Sequence, residues 1–511
     1  MMILDCTLRD GGYYTNWDFN GSVVDSYIHA MNNLPIDYLE LGYRNKPQKQ
    51  YQGKFGYCPI SVLKHIRENS KKKLAVMLNE KSTLPEDLDF LIKPIVGLVD
   101  MIRLAVDPMN LDRAIVLAKE VKKMGFEVAF NMMYMSKWNQ YDGLLGNLGK
   151  MNGVVDIFNM VDSFGGITPD EVLEITGLVK ASVSCKVGFH GHNNLQLGLI
   201  NTLTAIECGV DSVDATILGM GRGAGNLNME LLLTYLNKHN GFAVDFNELS
   251  DAITAFTPLM EQYRWGTSLP YMISGANSFP QKEVMDWVSN RVYSFNSIVR
   301  ALDNKIDHKV DNAKYPILVI AKKYEKVLVI GGGNSIIEHC DAIKEFLKVY
   351  PNTAIVLSTA RHAKLFQNQE QSLFYCLVGN EGRRLTKNVE KAKFKGTCVL
   401  PPYPRTMGTE VPEYAQNDTF ELAEISFVDD YKDSVATIAL QLALNLTDGE
   451  IFLLGYDGYP GSVLSEKEVA LTTENNTIFN AFAAVKGCKP KSLTPTTYRT
   501  MDVESIYQKI V

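Results

Sequence analysis

The sequence has no two cysteines at the close spacing of a metal finger or a redox pair. Its eight cysteines are scattered, which argues against a disulfide framework and a structural zinc site. Free thiols in such a chain point to reducing, cytoplasmic surroundings. There is no run of 18 apolar residues, so no membrane span is expected. The opening MMILDCTLRD has no basic stretch ahead of an apolar one, so no signal peptide is expected. Neither sign of charge dominates. The net charge is −7, which speaks against nucleic-acid binding. Low-complexity linkers and internal repeats are also lacking. What remains is an ordinary globular composition, 46% hydrophobic and 21% charged. At 511 residues it is too long for one core, and two to four domains are expected.

The first 220 residues alternate between short apolar runs and longer amphipathic stretches. Eight runs read as strands: 2–8, 38–41, 74–78, 101–105, 127–132, 157–161, 186–190 and 212–217. Most intervals between them hold a helix, and SVVDSYIHAMNNL and LGLINTLTAIECG show apolar spacing near 3.6. Alternating strands and helices imply parallel pairing, and eight units imply a closed (β/α)8 TIM barrel. A doubly wound open sheet is the alternative. The barrel is preferred because it brings the polar motifs after strands one and seven to one face. The expected organisation is an α/β chain with a TIM-barrel catalytic domain over 1–240. A helical extension packed on the barrel follows over 241–312, then a separate Rossmann-like α/β domain over 313–511.

Two segments carry the chemistry. LDCTLRDGG supplies Arg9 and Asp10, and GFHGHNN, roughly 180 residues later, supplies His190 and His192. Gly11 and Gly12 are expected to turn the chain sharply and leave the Asp10 carboxylate at the barrel mouth. His190 and His192 are two apart, so both point the same way on an extended strand. One carboxylate and two imidazoles bind Mn2+, Mg2+, Fe2+ or Zn2+ and leave coordination positions open. Such an ion suits a 2-oxo acid, polarising its keto oxygen. The Arg9 guanidinium then shares the developing enolate charge. A lone HxH is weak evidence, but both motifs at strand ends of one barrel reinforce each other.

These residues resemble a family. TLRDGG, ELGYR, DSFGGITP, GFHGHNN and VDATILGMGRGAGN make residues 1–300 similar to the metal-dependent barrel lyases and synthases. That group includes 4-hydroxy-2-oxovalerate aldolase, hydroxymethylglutaryl-CoA lyase and isopropylmalate synthase, and the aldolase branch resembles this chain most. The resemblance implies metal ligation by Asp10, His190 and His192, with Mn2+ or Mg2+ as the ion. It implies enolate stabilisation by Arg9, a polar role near the metal for Glu40, and substrate binding by Ser163 and Asn226. The implied substrates are a 2-oxo acid and an aldehyde, and the implied assembly is a homo-oligomer such as a dimer. One departure matters. The aldolase branch has a histidine shortly after TLRDG, acting on the 4-hydroxyl, whereas this chain reads GGYYTNW. Tyr13 or Tyr14 takes that place, and tyrosine is a poor base at its usual pKa.

In the C-terminal region KVLVIGGGNSI, TAIVLST, SLFYCLVGN and IFLLGYDGYPG read as strands, and SVATIALQLALNLTDG as an apolar helix. The turn at Gly331, Gly333 and Asn334 is a candidate phosphate cradle for a nucleotide or sugar derivative, although Ile336 breaks the GxGxxG pattern. Asp457 either touches such a ligand or caps a turn. The leading reading is a divalent-metal pyruvate aldolase. The alternatives are an acyl-CoA-dependent Claisen-condensing synthase and a non-catalytic scaffold with a sensor domain.

Overall fold

The computed structural model describes residues 1–289, 295–309, 312–405, 407–459 and 464–510. The chain divides into two compact units, Met1–Asp286 and Trp287–Val511.

In the first unit eight parallel strands close into a barrel in chain order. They are β1 (Met2–Asp5), β2 (Tyr38–Tyr43), β3 (Lys73–Asn79), β4 (Met101–Val106), β5 (Glu127–Met132), β6 (Ile157–Asp162), β7 (Lys186–Gly191) and β8 (Ser212–Ala215). The closing pair is β1 on β8, with Leu4 beside Asp214 and Asp5 beside Ala215. The strands are buried along most of their length, as strands covered on both faces must be.

The start of the barrel departs from expectation. The chain does not stay extended to Leu8, and Gly11–Gly12 do not form a turn. β1 stops at Asp5, whose carboxylate accepts from the Thr7 N–H at 2.8 Å, the Thr7 hydroxyl at 2.9 Å and the Tyr27 hydroxyl at 2.6 Å. From Thr7 the chain is helical to Thr15 (α1), and a left-handed Asn16 ends it. Both glycines lie inside α1. They serve close approach: a Cβ on Gly11 would sit 2.5 Å from the Met220 sulfur, and one on Gly12 2.0 Å from the Trp17 ring. Because α1 is helical, Arg9, Asp10 and Tyr13 share one face.

The next helix, α2 (Gly21–Asn33), begins under an Asn20 cap and buries Val24, Tyr27, Ile28 and Met31. The helix Pro169–Ser182 starts with a Thr168/Glu171 capping box and a proline in its first turn. After the barrel, α3 (Phe246–Tyr263) packs on α2. The helix Phe295–Ile306 belongs to the second unit, and residues 290–294 lie outside the described residues.

Inside the barrel two layers differ in kind. Leu4, Cys6, Tyr38, Ala75, Met101, Ala129 and Ile157 form an apolar plug. A polar set is buried in the same barrel: Glu40, Arg103, Asn131, Asn159 and Asp214. Barrel interiors are ordinarily filled by branched aliphatic residues, so a buried polar layer needs a reason.

The second unit holds an eight-stranded, all-parallel sheet, ordered β13-β12-β11-β10-β9-β14-β15-β16. Its strands are β9 (Lys326–Ile330), β10 (Thr353–Leu357), β11 (Leu373–Cys376), β12 (Thr397–Leu400), β13 (Thr419–Glu421), β14 (Glu450–Leu454), β15 (Lys491–Ser492) and β16 (Asp502–Val503). The helix α4 (Val435–Leu446) is buried along most of its length, and it ends earlier than Gly449, where the sequence pattern places its stop. β9 contributes Val327 and Val329 to one apolar cluster and Leu328 and Ile330 to another, so both sheet faces are covered.

The polar layer has little spare room. A Cβ on Gly188 would meet Asn159 Oδ1 at 1.9 Å and Ser212 Oγ at 2.3 Å. Gly188→Ala is therefore expected to cost about 1–3 kcal/mol of stability through overpacking. A lowered thermal or urea midpoint is the expected reading, and an unchanged midpoint would show that the layer relaxes freely.

Candidate active site

A pocket of about 70 Å3 opens among α1 and the strand ends that carry Tyr43, Ala105, Asn131, Ser163, His190 and His192. Arg9, Asp10 and Tyr13 of α1 line it, as does Arg222 of the loop after β8. This is the C-terminal face of the barrel, where active sites of this architecture lie.

The carboxylate and the two imidazoles are assembled there. The rings of His190 and His192 stand 5.0 Å apart at 75°. His190 Nδ1 lies 2.9 Å from Asp214 Oδ2, and His192 Nδ1 lies 2.7 Å from the Asp162 carbonyl oxygen. Each bond assigns the proton to Nδ1 and leaves Nε2 as a lone pair. His190 Nε2 is 3.6 Å from Asp10 Oδ2. Asn226 donates to that same oxygen at 2.8 Å. Burial drives the His192 pKa down to about 3, assisted by His190, so the ring is neutral, the form that binds a metal. Burial pushes the Asp10 carboxyl up, but the Arg9 guanidinium and both imidazoles outweigh it and hold it below the usual range. An ionised carboxylate beside two imidazoles oriented through Nδ1 fits a divalent ion.

Another set of potential ligands lies tighter. Cys6, His190 and Asp214 have ligand atoms within 4.8 Å of one another. It is the weaker candidate. Neither Cys6 nor Asp214 lines the pocket. Burial opposes ionisation of Asp214, yet Arg103 and His190 bring its carboxyl down to about 2, so its charge is already compensated. Burial pushes the Cys6 thiol well up, and the Asp10 charge adds to the effect.

Below the ligands, buried charges alternate in sign. Arg9 pairs with Asp10 and, through Nε, with Glu40 Oε2 at 2.9 Å. Arg103 Nη1 reaches the same Glu40 oxygen at 2.9 Å, and Nη2 reaches Asp214 Oδ2 at 2.5 Å. Its Nε donates to Asn131 at 2.9 Å. Glu40 thus sits beneath the pocket without lining it and acts by holding Arg9. Arg103, Asp214 and Asn131 were not singled out from the sequence. The signal was available: a charged or amide residue inside an apolar strand, as in MIRLAV, SVDA and EVAFNM.

The remaining expected residues fall on two sides. Ser163 lines the pocket, and its Oγ accepts from the Tyr134 N–H at 2.9 Å. Of the two tyrosines after TLRDG, Tyr13 faces the pocket, its hydroxyl 3.1 Å from that of Tyr43. Tyr14 instead donates to the Gly223 carbonyl at 2.9 Å. Burial, with the neighbouring Tyr13, pushes the Tyr43 hydroxyl pKa well up.

In the second unit the glycine turn is occupied from within. Gly331 N–H donates to the Leu454 carbonyl at 2.7 Å and Gly333 N–H to the Gly455 carbonyl at 2.8 Å. The Ser335 N–H and hydroxyl donate to Asp457 at 3.0 and 2.5 Å. A Cβ on Gly333 would lie 2.4 Å from the Asp457 carboxylate. Gly331 and Gly333 let two strand ends meet, and Asp457 caps the turn. Asn334 is 3.5 Å from Arg361 Nη2. The last two residues of GYDGYPG lie outside the described residues.

A family model described as HMGL-like matches residues 104–255. A 4-hydroxy-2-oxovalerate aldolase of Geobacillus thermodenitrificans is 30% identical over 246 residues, covering 46% of this chain and 69% of that protein. An oxaloacetate decarboxylase of Mycobacterium tuberculosis is 26% identical over 261 residues, covering 49% of this chain and 74% of that protein. A crystal structure of the N-terminal domain of a "putative aldolase" from Bacteroides vulgatus is 68% identical, with a TM-score of 0.57, and covers 59% of this chain and 100% of its own.

The state of His192 sets a pH dependence. Its pKa of about 3 in the folded protein lies below the ordinary 6.5. Between those values the unfolded chain binds more protons, so stability is full above 6.5 and falls as pH drops toward 3. In metal-free protein, His192→Asn is expected to flatten the loss of thermal midpoint across that window. An unchanged slope would refute the buried neutral imidazole.

Proposed function

The chain belongs to the HMGL-like family, and on that premise we propose that it is a divalent-metal-dependent carbon–carbon lyase. In this reading it is an aldolase that forms or cleaves a 4-hydroxy-2-oxo acid through a pyruvate-like enolate. One observation carries the reading: Asp10, His190 and His192 converge on a pocket with Arg9 fixed beside them. A divalent ion such as Mn2+ or Mg2+ held there polarises the keto oxygen of a 2-oxo acid and makes its methyl protons acidic.

The protein's own groups supply the rest. Arg9 spends Nε on Glu40 and one Nη1 bond on Asp10. Its remaining N–H groups face the developing enolate oxygen, already oriented. The Ser163 hydroxyl accepts from Tyr134, which leaves its own proton free for the substrate carboxylate. The carbon that lost its proton attacks the acceptor's carbonyl carbon, and the carbonyl oxygen takes up a proton. Cleavage is the reverse. Tyr13 and Tyr43, hydroxyl to hydroxyl at 3.1 Å, stand where that oxygen is handled. Tyr43 stays protonated, so the pair acts as donor and relay rather than as a strong base.

The oxaloacetate decarboxylase relative raises a second route to the same enolate, loss of carbon dioxide. That route is helped when the leaving carboxylate is unpaired. The Arg222 guanidinium in the pocket would stabilise the carboxylate before it leaves, which favours the aldol reading.

We read the second unit as a Rossmann-like domain, on the parallel sheet whose order reverses between β9 and β14. Open sheets of this kind take ligands at such a reversal. A nucleotide or sugar derivative is its proposed ligand, seated beside the turn after β9 rather than in it, because Asp457 fills that turn. Equilibrium dialysis of the full chain against common nucleotides and nucleotide sugars tests it, and no retention of any of them would overturn it.

For the lyase reading, pyruvate in deuterium oxide with Mn2+ is expected to lose methyl protons only when the protein is present. Asp10→Asn and His190→Ala are expected to abolish exchange and to weaken Mn2+ binding, followed by the electron paramagnetic resonance signal of free Mn2+. Asp214→Asn, which unties His190, is expected to weaken it about 10- to 100-fold. Full exchange in Asp10→Asn would refute the assignment. Loss of Mn2+ binding in Cys6→Ala would favour the competing cluster.

A further inference from the structure

We propose that Arg222 selects a carbonyl acceptor that carries its own negative charge, so the natural partner of the enolate is an anionic aldehyde or 2-oxo acid. This rests on the lyase reading above and specifies its substrate class.

Arg222 lines the same pocket as Asp10, His190 and His192. Among the described residues no carboxylate stands within 4.0 Å of its guanidinium. Its Nε is buried and has no hydrogen-bond partner. A buried guanidinium N–H without an acceptor is costly, and a protein that keeps one beside a reaction pocket leaves it for a ligand. The side chain is held in place. Its guanidinium carbon lies 5.2 Å from the centroid of the Tyr13 ring. Its backbone is fixed on both sides: Gly225 N–H donates to the Arg222 carbonyl, Asn226 N–H to Gly219, and the Tyr14 hydroxyl to Gly223. Contact with Tyr13 alone would explain a packed arginine, but it leaves the Nε proton unused.

Charge bookkeeping points the same way. Beneath the pocket Arg9 and Arg103 are balanced by Glu40 and Asp214. Asp10 adds one negative charge. A divalent cation with one bound 2-oxo acid monoanion neutralises it. Arg222 is then the one positive charge in the pocket without a counterpart. It sits next to Tyr13, on the side where the acceptor's oxygen is handled. A carboxylate or a phosphate on the acceptor supplies the missing acceptor atoms, and guanidinium binds either in a forked geometry.

The test compares acceptors in the Mn2+-loaded full chain with pyruvate as donor: acetaldehyde and propionaldehyde as neutral aldehydes, glyoxylate and succinic semialdehyde as carboxylates, and glycolaldehyde phosphate. The charged acceptors are expected to exceed acetaldehyde in kcat/KM by at least about tenfold, the scale of one charged hydrogen bond. Arg222→Met is expected to reduce that preference ratio by about 10- to 100-fold, and Arg222→Lys to restore part of it. Whether the carboxylates or the phosphate lead identifies the anion. If pyruvate exchanges its protons but neutral aldehydes are used equally well, or Arg222→Met slows every acceptor alike, this proposal is wrong and the lyase reading stands. If the wild-type protein exchanges no protons, the lyase reading fails and takes this proposal with it.

Discussion

Everything in the catalytic pocket hangs on a closed circuit of buried charges. Asp10 meets Arg9, Arg9 meets Glu40, Glu40 meets Arg103, Arg103 meets Asp214, Asp214 meets His190, and His190 returns to Asp10. The members come from α1, β2, β4, β8 and β7. Buried ion pairs of this kind are weak sources of stability, because desolvation consumes most of the attraction. Their value here is orientation. No member can turn without leaving a buried charged or polar partner unsatisfied, so each is fixed by its two neighbours. This explains why the barrel accepts ions where aliphatic side chains would pack more cheaply.

The circuit also divides the site by stiffness. The proposed enolate side is held by buried pairs: Arg9 is held at two points, and both imidazoles are tied through Nδ1. The proposed acceptor side takes its polar groups from α1, the end of β2 and the loop after β8: Tyr13, Tyr43 and Arg222.

The barrel and the meeting of Asp10, His190 and His192 in one pocket were legible in the sequence because they follow simple periodicities. Eight apolar runs at regular spacing fix a parallel barrel, and two polar motifs at strand ends must then meet. The strand bounds hold to within a residue or two at β2 to β7. The failure at β1 is instructive. LDCTLRDGG looks like a strand running into a glycine turn, yet Asp5 captures Thr7 and Tyr27 and starts a helix, with glycines chosen for contact with Met220 and Trp17. Local propensity carries no information about those distant neighbours. Arg103 and Asp214 escaped for a related reason. Each is one charged letter in an apolar run, and its meaning appears only when strands far apart in sequence are laid side by side. In the second unit, β12, β13, β15 and β16 are two to four residues long, too short for periodicity to register. The glycine turn was visible there, and of the two roles open to Asp457 the structure shows the turn cap.

The hydrogen bond from Asn226 to Asp10 spans 216 residues, and that separation has a consequence in time. A ribosome adds roughly 5 to 20 residues per second. Asp10 therefore waits on the order of 10 to 40 s, at those rates, before Asn226 has even been made. During that interval the circuit through Arg9, Glu40 and Arg103 cannot close, because His190 and Asp214 lie far downstream. The pocket is thus among the last things the first unit can complete, because Asp10 has its Asn226 partner only once the loop after β8 exists.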